Sequence, residues 1–159
     1  IRSDLLDIYL SEVCSACIST GSGYDVLPQV NCKPVLYVNF LPHGYCNCFA
    51  PTEYTCFKKL RDIDTNNIIE DLNELYSRNV FTIQKQDDFT KNGFEVVNLT
   101  EDEILQCAKT FIEKIERGHS STEITKSPYE YTFEAIIKND EELMMVHPEN
   151  PVVQLINPV

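Results

Sequence analysis

The sequence predicts an α/β fold with a mostly parallel sheet. Three observations carry that expectation. A short apolar run, Cys14 to Thr20, meets a glycine turn, Gly21-Ser22-Gly23, and then a short helical stretch, Tyr24 to Val30. A second run, Val35-Leu36-Tyr37-Val38-Asn39-Phe40, opens after Lys33-Pro34. It is β-branched, aromatic and apolar on both faces, as strands inside parallel sheets are. Strand, turn, helix and strand over roughly thirty residues form a βαβ unit, with parallel strands and a right-handed crossover.

The elements follow in chain order. Ser3 to Val13 reads as a helix capped by Ser3, with Leu5, Leu6, Ile8, Tyr9 and Leu10 on its buried side. Pro28 limits the helix after the glycine turn unless it falls in the first turn. Leu41 to Asn66, with Pro42, Gly44 and Pro51, reads as a long irregular loop. Ile68, Ile69, Leu72, Leu75 and Tyr76 fall at helical spacing and predict a helix reaching about Arg78. Asp87 to Gly93 reads as loop, and Phe94 to Leu99 as a strand. Thr100-Glu101-Asp102-Glu103 is a capping box at the head of a helix with a buried stripe of Ile104, Ala108, Phe111, Ile112 and Ile115, ending at Gly118. His119 to Pro128 reads as a polar linker, and Tyr131 to Met145 as a last helix.

The chain has 159 residues and a formal net charge of −12. That size suits one domain with a real core. So acidic a chain repels phosphodiester backbones, which argues against nucleic acid as a partner. No apolar run reaches the roughly 20 residues that span a bilayer. No basic-then-apolar leader is present, and the chain begins at Ile1, so we read it as a fragment of a longer protein located in the cytoplasm. Attachment at the inner membrane face stays open. The seven cysteines are expected to be free thiols. Cys14, Cys17, Cys32 and Cys107 read as small core residues.

Chemistry has three places to sit. The first is Ser19-Thr20-Gly21-Ser22-Gly23, at the carboxyl end of a buried strand, where open parallel sheets bind ligands. Glycines allow close backbone approach, hydroxyls add donors, and the following helix start favours a diphosphate. Its alternative is an ordinary βα turn. The second is the loop after the next strand, with Asn39, His43, Thr52 and Glu53 as candidate nucleotide, ribose or sugar contacts; Glu53 is otherwise a solvated loop acid. The third is His43, Cys46, Cys48 and Cys56, which could hold zinc, although Cys-x-Cys is tighter than a usual zinc knuckle. We expect free loop thiols there and no metal. His119 and His147 read as surface residues, and no catalytic base is assigned.

Leu6-Asp7-Ile8-Tyr9-Leu10, Cys17-Ile18-Ser19-Thr20-Gly21-Ser22-Gly23 and Lys33-Pro34-Val35-Leu36-Tyr37-Val38-Asn39 stand in an order that resembles a family of bacterial glycosyltransferases encoded at surface-polysaccharide biosynthesis loci. Phe57-Lys58-Lys59-Leu60 resembles that family's lysine-containing segment. Val96 to Ile104 resembles its strand-to-helix step, and Pro151 to Val159 the start of its closing segment. The resemblance implies a GT-B architecture of two Rossmann-like lobes, each a three-layer α/β/α unit, with this chain as the C-terminal lobe. Residues 1–118 would form the nucleotide-sugar-binding lobe, and residues 119–159 a linker, terminal helix and tail packed on it.

The resemblance further implies that Thr20, Gly21, Ser22 and Gly23 hold the donor diphosphate and that Asn39 marks the matching strand end. The partners would be a nucleotide-sugar, a glycan acceptor and the N-terminal lobe of the same protein, with no cofactor. Two other readings stand beside it: a nucleotide-sugar 2-epimerase-like or pyruvyl-transferase-like enzyme, and a non-catalytic α/β interaction module.

Overall fold

A computed structural model describes residues 3–46, 50, 52–117, 126–147 and 153–158. Helix α1, Asp4–Val13, leads into strand β1, Cys17–Ser19, helix α2, Val26–Val30, and strand β2, Val35–Phe40. The strands pair in parallel, with Cys17, Ile18 and Ser19 opposite Val35, Leu36 and Tyr37. The βαβ unit is therefore present. Pro28 is accommodated as the third residue of α2, where the missing N–H is one that a helix start leaves unpaired.

The segment expected to be one long loop is structured instead. After a single 3₁₀ turn, His43–Tyr45, strand β3, Glu53–Phe57, pairs in parallel with β2. All five of its residues are buried. Glu53 and Thr55 interrupt its apolar pattern and Pro51 precedes it, which masked the strand. The tail adds one parallel bridge beyond β3, between Thr55 and Leu155. Thr55 N–H donates to the Gln154 carbonyl at 3.0 Å, and Ile156 N–H to the Thr55 carbonyl at 3.0 Å.

A second, antiparallel sheet follows. Strand β4, Lys59–Asp62, lies between β5, Ile68–Ile69, and β6, Phe94–Val97. The helix expected from Ile68 starts later, as α3, Leu72–Ser77, because the Asp71 side chain caps it by accepting from Asn73 N–H. The segment read as loop before β6 contains α4, Gln86–Lys91. The Thr100–Glu103 capping box opens α5, Glu101–Glu116, as expected; Gly118 and His119 lie outside the described residues.

The expected last helix is two, α6, Pro128–Asn139, and α7, Glu141–Val146. Asp140 divides them by capping α7 through Glu142 and Leu143 N–H. A second capping box, Ser127 with Glu130, starts α6. Glu130 is buried because its other oxygen accepts from Leu155 N–H at 2.9 Å, tying α6 to the tail.

Two apolar clusters result. Leu36, Val38, Tyr54 and Cys56 from β2 and β3 pack with Cys107 and Phe111 of α5. Phe57 and Leu60 pack with Phe81, Phe94 and Phe133, joining the second sheet to α6. The chain is thus a mixed α/β structure with a three-stranded parallel sheet. No helix among the described residues is long and apolar enough to cross a membrane.

Three expectations about burial are corrected. Leu5, Leu6, Ile8, Tyr9 and Leu10 of α1 are exposed rather than buried. Cys32 is exposed, and Cys14 caps the end of α1 instead of starting β1. His147 is buried, its Nε2 2.6 Å from the Gly44 carbonyl. Gly44 is required there, since an added Cβ would stand 2.6 Å from Leu143 and 2.7 Å from the Phe81 carbonyl oxygen.

Candidate functional site

Because β1, β2, β3 and the tail run in one direction, the segments that follow them share one edge of the sheet. That edge carries the 19–23 turn, Asn39 and Phe40, Lys58, and Asn157. Thr52 and Glu53 do not join them. They precede and open β3, with Glu53 opposite Val35 at the start of β2, so they stand at the amino end. The expectation that they line the same crevice as the turn is corrected by the existence of β3. Glu53 is buried, and its carboxylate accepts from Gln29 Nε2 at 2.6 Å and from Ala50 N–H at 3.1 Å.

The turn is exposed, with φ of +77° at Gly21 and +90° at Gly23. Those conformations explain both glycines. A Cβ on Gly21 would also reach 3.0 Å from the Phe40 ring. The turn's interior is filled by a residue that sequence reasoning missed. Asp25, 5% exposed, accepts from Gly23 N–H at 2.9 Å, from the Ser19 hydroxyl at 3.0 Å and from the Tyr37 hydroxyl at 3.1 Å. Ser19 Oγ in turn accepts from Gly21 N–H at 3.1 Å. Two of the amides expected to meet a diphosphate are therefore taken up inside the turn, Gly23 N–H by the Asp25 carboxylate and Gly21 N–H by the Ser19 hydroxyl. The available signal was an Asp directly ahead of a helix start. Helix α2 has only five residues, so its dipole adds little.

Asn39 has a positive φ of 52°, a region that asparagine tolerates better than most side chains. Its Oδ1 accepts from Leu99 N–H at 2.7 Å, joining the end of β2 to the segment before α5. Asn39 thus fixes the edge's geometry through the backbone.

Beside Phe40 the edge deepens into a cleft of about 320 Å³, lined by His43, Phe57, Lys58, Lys59, Leu60, Ile69, Glu70, Tyr129 and Asn157 among others. Lys58 N–H donates to the Phe40 carbonyl at 3.2 Å, and Phe40 faces Gly21, so turn, ring and lysine lie in sequence along the edge. The two lysines differ. Lys59 pairs with Glu103, whose carboxyl is held low first by that lysine and then by Thr100. Lys58 makes no ion pair with a described residue.

His43 is 2% exposed and stacked on Phe57, with ring centroids 4.4 Å apart. Burial lowers its pKa to about 3, so the ring is neutral at pH 7. Its Nδ1 is buried and has no hydrogen-bond partner among the described residues. Burial raises the Tyr129 phenol, which therefore stays protonated and able to donate. The cleft combines Lys58, the Glu103-paired Lys59, the carboxylate of Glu70, neutral donors and an apolar wall. That chemistry suits an anion carried on a larger organic group.

Of the candidate zinc set, Cys48 lies outside the described residues, and His43, Cys46 and Cys56 are buried. Among the described residues no group of three or more His, Cys, Asp or Glu side chains is arranged to hold a metal ion. Asp62-Ile63-Asp64 has Asp-x-Asp spacing. Asp62, however, accepts from Asp64 and Thr65 N–H and pairs with Arg78 at 2.5 Å, so it holds a turn. Compared with protein-family models, curated proteins and solved structures, the chain matches none.

Proposed function

We propose that the chain is the donor-binding lobe of a glycosyltransferase, holding the diphosphate of a nucleotide-sugar at the carboxyl edge of its parallel sheet. The observation that carries this reading is the placement of Lys58, without an ion pair among the described residues, in a cleft at the end of β3, with its N–H bonded to the carbonyl of Phe40, whose ring stands against Gly21 of the exposed turn. Lys58 supplies the charge that meets the diphosphate. Thr20 and Ser22 offer hydroxyls from the exposed turn, while Gly21 and Gly23 keep it low. Ser19 and Asp25 shape the turn from below. Tyr129 and Asn157 are donors, and Glu70 an acceptor, for the rest of the nucleotide-sugar.

As the glycosidic bond breaks, negative charge grows on the leaving diphosphate. The Lys58 ammonium then stabilises the transition state more than the ground state. The resemblance at Cys17 to Gly23, Lys33 to Asn39 and Phe57 to Leu60 supports a GT-B enzyme of surface-polysaccharide synthesis, with a Rossmann-like three-layer lobe. The glycan acceptor and catalytic base belong, on this reading, to an N-terminal lobe, and the enzyme works in the cytoplasm.

A thermal-shift screen against nucleoside diphosphates and their sugar esters tests the proposal. A ligand at a hundred times its Kd stabilises the native state by about 2.7 kcal/mol. We expect at least one such compound to raise the melting temperature, and Lys58→Ala to lose most of that rise while keeping its ligand-free midpoint. No shift with any of them, or an equal shift in Lys58→Ala, refutes the assignment.

A further inference from the structure

Helix α1 is turned inside out. Leu5, Leu6, Tyr9, Leu10 and Val13 repeat at the spacing of one helical stripe, yet they are 42% to 78% exposed. The opposite, polar side holds α1 to the rest of the chain. Ser11 is 1% exposed and accepts from Asn31 Nδ2 at 3.0 Å, and the Asp7 carbonyl accepts from the Tyr24 hydroxyl at 3.0 Å. A groove of about 260 Å³, lined by Leu10, Val13, Ala16 and Pro28 among others, adjoins the stripe. Five large apolar side chains exposed along one helix stripe mark an interaction site.

Charge selects the occupant. At 100° per residue, Glu12 flanks the stripe on one side and Asp7 on the other. The last turn of α1 has no basic residue. A second copy would bring the same acids, and a further net charge of −12, against them. Anionic lipid would be repelled likewise. We infer that α1 and the adjoining groove dock an amphipathic protein helix whose apolar face is rimmed by lysine or arginine. This surface is built from residues other than those of the diphosphate cleft, so it stands whether or not a nucleotide binds.

The probe is a labelled leucine/lysine amphipathic peptide roughly four helical turns long, with a leucine/glutamate peptide as control. Fluorescence anisotropy compares the wild-type chain with a Leu6→Asp, Leu10→Asp double variant. These side chains are exposed, and circular dichroism checks that the variant stays folded. The lysine peptide should bind, the glutamate peptide should not, and the double variant should weaken binding about tenfold or more. Purely ionic attraction gives the opposite sign, because the variant adds two negative charges. Unchanged or tighter binding by the variant therefore overturns the inference, as does equal binding of both peptides. So does sedimentation showing a dimer that the double substitution abolishes, or adsorption of the chain to phosphatidylglycerol vesicles through α1.

Discussion

At the scale of single residues, two glycines and one histidine make testable statements. Gly21 and Gly23 both have positive φ, but only Gly21 stands against a neighbour, the Phe40 ring. Gly23→Ala should cost about 1–2 kcal/mol, the backbone term alone. Gly21→Val should cost more, since a β-branched side chain must also displace Phe40; urea unfolding measures both. His43 is buried neutral, with its pKa lowered to about 3 from 6.5. Below pH 6.5 the unfolded chain takes up a proton that the folded chain refuses. Stability therefore falls as pH drops from about 6.5 toward 3, at up to about 1.4 kcal/mol per pH unit from this group. His43→Phe should flatten that part of the stability profile. An equally steep profile in the variant would show that His43 protonates in the folded state. Asp25 was invisible as a site residue because its role depends on Ser19, Gly23 and Tyr37 converging in space.

Elements were legible where local chemistry decides them. Thr100 and Glu103 satisfy each other's backbone groups within one turn, so α5 begins where the sequence says it should. Thr100→Ala should destabilise the chain by about 1 kcal/mol, and a thermal melt reports it. The βαβ unit was legible for a similar reason, since its turn and its two strands lie close in sequence. Strand β3 was not. Its buried Glu53 carboxylate is met by Gln29 and Ala50, and its outer edge by the tail, which pairs with the Thr55 backbone; those partners are remote or hidden. Helix α1 was seen as amphipathic, but periodicity reports a stripe and not the direction it faces.

At the scale of the molecule, parallel strand direction is what gathers the candidate edge. It brings Lys58 alongside Phe40 and the 19–23 turn, and it sends Thr52 and Glu53 to the far end. The sequence suggested the edge but not its contents, because the order of segments along it depends on β3 and the tail. Asp25 and Ser19 occupy the turn's amides, so in the proposed complex the ammonium of Lys58 is the group that meets the diphosphate. Calorimetric titration of the chain with uridine and guanosine diphosphates, repeated on Lys58→Ala, tests that most directly. The account predicts saturable heat for one of them and a loss of about tenfold or more in affinity without Lys58. Titrations that give no heat with either nucleotide, or the same affinity in both proteins, would contradict it.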